Sequence, residues 1–126
     1  MNRRELIRFG MASAAATALP TPALAFPDKP IRLIVPFSPG GATDVMARKL
    51  LPFVEQRLGG KAKFVVMNKP GASGEIAFAG IQRATPDAYS IGVVNVPGYN
   101  FIPMTRKTQY SMDEIRLIAQ IGRAHV

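Results

Sequence analysis

Three short apolar runs, each closed by a turn, limit what this chain of 126 residues can fold into more than any other feature. Ile31-Arg32-Leu33-Ile34-Val35 has strand length and, apart from Arg32, only β-branched or aliphatic side chains; Pro36 and Ser38-Pro39-Gly40-Gly41 close it. From Ala42 to Leu58, apolar residues at Val45, Met46, Leu50, Leu51, Val54 and Leu58 recur at helical spacing, and Gly59-Gly60 supplies the stop. Pro52 lies inside this helix, where its missing amide proton favours a kink. Lys63 to Met67 reads as a second strand, Asn68-Lys69-Pro70-Gly71-Ala72-Ser73-Gly74 as a second turn, and Glu75 to Ala84 as a second helix. After Thr85-Pro86-Asp87, Tyr89 to Val94 makes a third strand and Asn95-Val96-Pro97-Gly98-Tyr99-Asn100 a third loop. Strands joined through helices of this length lie parallel with right-handed crossovers, so the three turns gather on one edge of an α/β sheet. Open α/β sheets bind their ligands at that edge.

A glycine-rich turn that runs into a helix presents unpaired N–H groups beside the positive end of the helix dipole, a setting for an anion. In the first turn Gly40 and Gly41 let the main chain come close to a ligand, and Ser38 and Thr43 add hydroxyl donors. Asp44, in the first helical turn, is expected to cap the helix or complement its dipole rather than touch the ligand, because a carboxylate repels an anion. Ser73 and the amides of Gly71, Ala72 and Gly74 form either a second donor set or simply a tight connection. Lys69 reads as a solvated surface lysine. No turn carries G-x-G-x-x-G or the Gly-Lys-Ser/Thr of a phosphate loop, which disfavours nucleotide chemistry. The single histidine, His125, stands next to the last residue and gives neither Ser38 nor Ser73 a partnered base. Cysteine is absent, so disulfides, a thiol nucleophile and a cysteine zinc site are excluded, and no metal or other cofactor is expected.

The first 25 residues follow a different logic. A basic head carries Arg3, Arg4 and Arg8, an uncharged stretch runs from Phe9 to Leu19, Pro20 and Pro22 break any helix, and Ala23-Leu24-Ala25 is a small-residue site. This is the order of a signal peptide cleaved near Ala25. The uncharged stretch, mostly Ala, Gly and Ser, is too short for a bilayer core that needs roughly 20 apolar residues. Arg3-Arg4 before a weakly hydrophobic stretch suits either the twin-arginine or the general secretory route. The working protein is expected to begin near Phe26, outside the cytoplasm. Three of the sixteen Lys and Arg and one of the eight Asp and Glu fall in this leader, which leaves thirteen against seven and a formal charge of +6. That charge is scattered, without the basic stripe or interleaved aromatics of a nucleic-acid binder.

The residues also carry a more specific pattern. Phe26-Pro27-Asp28-Lys29-Pro30, the strand and turn from Ile31 to Asp44, Ala47-Arg48, Asn68 to Gly74, and Pro86-Asp87-Ala88-Tyr89 resemble, in order and spacing, the opening of the tripartite tricarboxylate transporter substrate-binding proteins, also called the Bug family. The resemblance extends from Phe26 to about Gly122. It implies a type II periplasmic-binding-protein-like α/β fold with two domains closing like a Venus flytrap, of which residues 26–122 hold the first part of domain 1. It further implies a monomeric receptor, not an enzyme, that captures a small carboxylate (a di- or tricarboxylate, amino acid or aromatic acid) in the periplasm for the membrane permease subunits of the transporter. Ligand contacts are implied at Ser38, Pro39, Gly40, Gly41, Ala42 and Thr43, and at Asn95, Val96, Pro97 and Gly98. Ala88 replaces the glycine usual before the tyrosine, a change of turn geometry. The Asn95–Asn100 loop departs from the commoner Ser/Thr-rich form, which leaves the identity of the carboxylate open. Tyr99 and Phe101 are expected to fill the core rather than pack on a ligand.

Members of that family are more than twice as long, so the chain is expected to be a fragment, exposing sheet edge and apolar surface and binding weakly. Ile121-Gly122-Arg123-Ala124-His125-Val126 coincides with one reading frame of a common sequencing adapter, and residues 121–126 are accordingly expected to be a non-native tail. Two alternatives come from other classes. A secreted α/β enzyme would need a nucleophile with its base or a metal cluster, and a structural envelope protein would ignore small ligands.

Overall fold

The computed structural model describes residues 26–122; residues 1–25, where a leader is expected, and residues 123–126 lie outside the described part. The chain runs through β1 (Ile31–Val35), α1 (Ala42–Arg57), β2 (Phe64–Asn68), a 3-10 turn (Ala72–Gly74), α2 (Glu75–Gln82), β3 (Ser90–Gly92), α3 (Val96–Thr105) and a second 3-10 turn (Met112–Glu114). The strands form one parallel sheet in the order β2-β1-β3. β1 pairs with β2 from Ile31–Phe64 to Val35–Asn68 and with β3 from Arg32–Ser90 to Ile34–Gly92. A central parallel strand is covered on both faces, which accounts for its nearly unbroken apolar run. Its one exposed residue, Arg32, donates from Nη2 to Ser90 Oγ at 2.8 Å. Ile31, Leu33, Ile34 and Val35 are all buried, each worth about 1.5–3 kcal/mol of apolar transfer.

Each face of the sheet carries a helix. Leu33 and Val35 pack with Ala47 and Leu51 of α1, with Val66 of β2 and Ile91 of β3, and with Val93 just after β3. Ile34 points the other way, with Gly92 beside it in register, and α2 approaches so closely there that a Cβ on Gly92 would overlap the Ile81 side chain. Only one stripe of α1 is used: Val45 and Phe53 stay exposed, as does Leu58 at its C-cap. The helix runs on through Pro52, which lies at an exposed position.

Beyond β3 the chain builds a second, aromatic core. Phe78 is fully buried, with Tyr99 and Tyr110 meeting its ring edge-on at centroid distances of 5.3 Å. Tyr99 and Tyr110 stack on each other, also at 5.3 Å, and such pairs add about 0.5–1.5 kcal/mol each to the burial. Tyr99 therefore fills the core as expected. Phe101 does not: it is 62% exposed on α3, next to Met104 at 75%. Pro103 lies inside α3 and denies Tyr99 O the amide four residues on; the Tyr110 hydroxyl donates to that carbonyl instead, at 2.7 Å in a buried setting. The segment after α3 is also tied to the first turn of α2. Glu75 Oε1 accepts from Gln109 N at 2.8 Å, and Oε2 lies 2.8 Å from Arg106 Nη2 as an ion pair outside good hydrogen-bond alignment.

At the other end, the Tyr89 hydroxyl pairs with Asp28, Phe26 packs on the Tyr89 ring at 5.0 Å, and Lys29 Nζ stands 4.3 Å from the ring centroid. Ala88, just before this tyrosine, has φ +65°. The turn there does take the left-handed conformation that glycine favours. No described helix is long and apolar enough to cross a membrane.

Candidate functional site

With the order β2-β1-β3, the chain leaves β1 toward β2 and later crosses to the far side for β3. The direction of winding reverses between β1 and β3, and the turns after these two strands border the crevice where open α/β sheets bind. The first turn brings Ser38, Pro39, Gly40 and Ala42 to the surface and leaves Gly41 and Thr43 half-buried. Gly40 has φ +81°, a conformation that strains any other residue. Two of its expected donors are spent within the turn: Gly40 N donates to Asp44 Oδ2 at 2.9 Å and Gly41 N to Ser38 O at 3.2 Å. The glycines shape the loop rather than supply it with donors. The first intrahelical bond is Val45 N to Gly41 O at 2.9 Å, and no side chain caps the helix. The amides of Ala42, Thr43 and Asp44 precede that bond and form the donor end of α1.

The segment Asn95–Asn100 is not the loop its Pro and Gly suggest. Asn95 is the N-cap of α3, and Val96, Pro97 and Gly98 are its first turn. Proline suits this position because an amide there has no intrahelical partner. Asn95 makes no side-chain cap bond, and the first bond of the helix, Tyr99 N to Asn95 O, is 2.8 Å long. The amides of Val96 and Gly98 thus precede the ladder, and the N-termini of α1 and α3 follow the two strands at the switch point. Asn95, Val96 and Pro97 are exposed and Gly98 is half-buried.

Asp44 does more than the dipole role assigned to it. Its carboxylate is 2% exposed and fully bonded. Oδ2 accepts from Gly40 N and from Arg48 Nε, each at 2.9 Å, and Oδ1 from Asn68 Nδ2 at 2.9 Å. Asn68, the last residue of β2, also donates to Phe37 O at 3.0 Å and accepts from Arg48 Nη2 at 3.2 Å. The hydrogen bond from Arg48, then those from Gly40 N and Asn68, hold the Asp44 carboxyl down to about 2 against the opposing effect of burial. Its negative charge is matched by Arg48, which removes the repulsion expected toward an anion. The spacing Asp44-x-x-x-Arg48 signals the ion pair; nothing local signals Asn68, twenty residues further on.

The second half of the second turn has positive φ, with Ala72 at +47°, Ser73 at +59° and Gly74 at +98°, and Ser73 is exposed. Gly74 N donates back to Gly71 O at 2.9 Å. Lys69 is half-buried rather than solvated; its ammonium lies beside Gly80 of α2, in a polar groove with Arg32 and Arg83. Among the described residues no group of three or more His, Cys, Asp or Glu side chains comes together.

Residues 46–126 match the model of the tripartite tricarboxylate transporter family receptor. A UPF0065 protein of Bordetella pertussis is 38% identical over 100 residues, 79% of this chain and 30% of its own length. Protein BugT of the same organism is 40% identical over 79 residues, 63% of this chain and 24% of its own. The chain thus spans less than a third of the length of these curated relatives. A solved periplasmic transporter structure is 46% identical with a TM-score of 0.52, covering 57% of this chain and 23% of that one. The periplasmic binding protein BugD is 43% identical with a TM-score of 0.50, covering 53% and 22%. Rpa4515 of R. palustris, solved with adipate, is 32% identical with a TM-score of 0.50, covering 55% and 22%. Sequence, sheet order and neighbours agree: the chain belongs to the tripartite tricarboxylate transporter receptor family, a family of periplasmic solute-binding proteins.

Proposed function

We propose that this chain supplies one wall of a cleft that captures a small carboxylate in the periplasm and delivers it to the membrane permease of a tripartite tricarboxylate transporter. The observation that carries the reading is that α1 and α3 both begin without a side-chain cap, directly after β1 and β3, the two strands at the switch point of the sheet. Amides of Ala42, Thr43, Val96 and Gly98, with the Ser38 and Thr43 hydroxyls, make a donor-rich and acceptor-poor rim that suits an oxyanion. The adipate-bound relative from R. palustris supports a carboxylate of this class. Ser38 to Thr43 hold the carboxylate, directly and through water, and Asn95 to Gly98 close the other side. The chemistry is capture without turnover, by a monomer that needs no cofactor and is exported by a signal cleaved near Ala25.

The test is a thermal-shift screen against di- and tricarboxylates, amino acids and aromatic acids, with sugars and divalent cations as controls. A carboxylate at one hundred times its Kd adds about 2.7 kcal/mol, which raises Tm by roughly 10 °C or more in a domain of this size. Stabilisation by sugars or cations with none from any carboxylate would sink the reading.

A further inference from the structure

We infer that Asp44, Arg48 and Asn68 form a latch that sets the shape of the β1–α1 turn for ligand, with Asp44 as the positioning residue; this rests on the receptor reading above. Asp44 is buried, yet none of its bonds serves the core. One oxygen holds Gly40 N, inside the turn, and the other holds Asn68 Nδ2, at the end of β2. Asn68 in turn grips Phe37 O, at the start of the same turn. The segment from Phe37 to Gly40 is therefore held at both ends by one bonded pair of side chains, and Arg48 joins them by donating to both.

Two consequences follow for binding. The latch takes the Gly40 amide out of the ligand's reach and leaves for it the donor end of α1, the amides of Ala42, Thr43 and Asp44. It also ties the first binding turn to β2, so the donors keep their place while the cleft is empty, and the ligand does not have to order them.

The experiment compares the chain with Asp44→Asn, Asn68→Ala, Arg48→Lys and Arg48→Met variants, using amide NMR spectra with and without adipate. In the absence of ligand, Asp44→Asn should move or broaden the Phe37–Thr43 amides, Gly40 most, while the Phe78, Tyr99 and Tyr110 signals stay in place. Adipate affinity should fall tenfold or more in Asp44→Asn and in Asn68→Ala. Asn68→Ala keeps the Asp44–Arg48 pair and serves if Asp44→Asn does not fold. Arg48→Lys should retain more affinity than Arg48→Met, since a cation still meets the carboxylate. Variants that bind adipate within twofold of the parent chain, with turn amides unmoved, overturn the latch while leaving the receptor reading intact. A parent chain that binds no carboxylate overturns both.

Discussion

Tyr110→Phe removes a single hydroxyl and keeps the ring that packs on Phe78 and stacks on Tyr99, both at 5.3 Å. An ordinary Tyr-to-Phe change loses one hydrogen bond, worth about 0.5–1.5 kcal/mol net. Here the acceptor is Tyr99 O, whose normal helical donor would belong to residue 103, and residue 103 is proline. The carbonyl has no second donor within its helix, so the variant buries it unsatisfied, at a cost of about 1–3 kcal/mol. A loss of about 2 kcal/mol lowers Tm by roughly 8–16 °C in a domain of this size and moves the urea midpoint by on the order of 1 M. Urea denaturation of four chains, the parent, Tyr110→Phe, Pro103→Ala and the double variant, isolates the cause. Alanine at 103 restores an amide, so Tyr110→Phe should cost less in that background, with a coupling of about 1 kcal/mol. A cost under about 0.5 kcal/mol, equal in both backgrounds, would show that the hydroxyl does not stand in for the missing amide.

Further outcomes follow from the same structure. Ala88→Gly should raise stability by about 0.5–1 kcal/mol, because φ is +65° there and an L side chain is strained in that conformation; a lower Tm would contradict the turn geometry. Gly74→Ala should destabilise by about 2–4 kcal/mol, combining a φ of +98° with a Cβ only 2.8 Å from Phe78 Cζ and 3.2 Å from Pro36 Cβ; chemical denaturation at parity with the parent would refute it. Asp44 is held at about 2, chiefly by the bond from Arg48, and Glu55 and Asp87 are lowered by Lys63 and by the Tyr89 amide respectively. Folded values below the unfolded ones give stability that is complete above the ordinary carboxylate range and lost as pH falls through about 4 toward 2. Acid titration followed by circular dichroism should show that loss, and Asp44→Asn should flatten part of it.

The sheet was legible in the sequence because its strands are apolar runs bounded by Pro and Gly, and the parallel order follows from helices long enough to cross over. One edge strand is shorter than expected, since β3 keeps only Ser90–Gly92 of Tyr89–Val94; the other, β2, keeps its length and moves by one residue to Phe64–Asn68. The miss at Asn95–Asn100 has a clear cause. Pro97 and Gly98 read as breakers, but Pro97 falls in the first helical turn where it costs nothing, and the damage done by Pro103 is repaired by a hydroxyl seven residues away that no local pattern announces. Phe101 carries no sign of its exposure, because helical spacing shows which residues share a face and not which face is covered. At the site, the residue types of the first turn were visible, but their division of labour was not. Which amides are spent depends on Asp44 and Asn68, which meet only after β2 has docked beside β1.

The most direct test of the receptor account is an amide NMR titration of this chain with adipate and, separately, with a neutral sugar. The account predicts saturable shifts, even at millimolar affinity, confined to Ser38–Thr43 and Asn95–Gly98 and absent with the sugar. Shifts that scatter over the surface, or a turn and helix start unmoved at tens of millimolar by adipate and by every other carboxylate class of the thermal-shift screen, would contradict it.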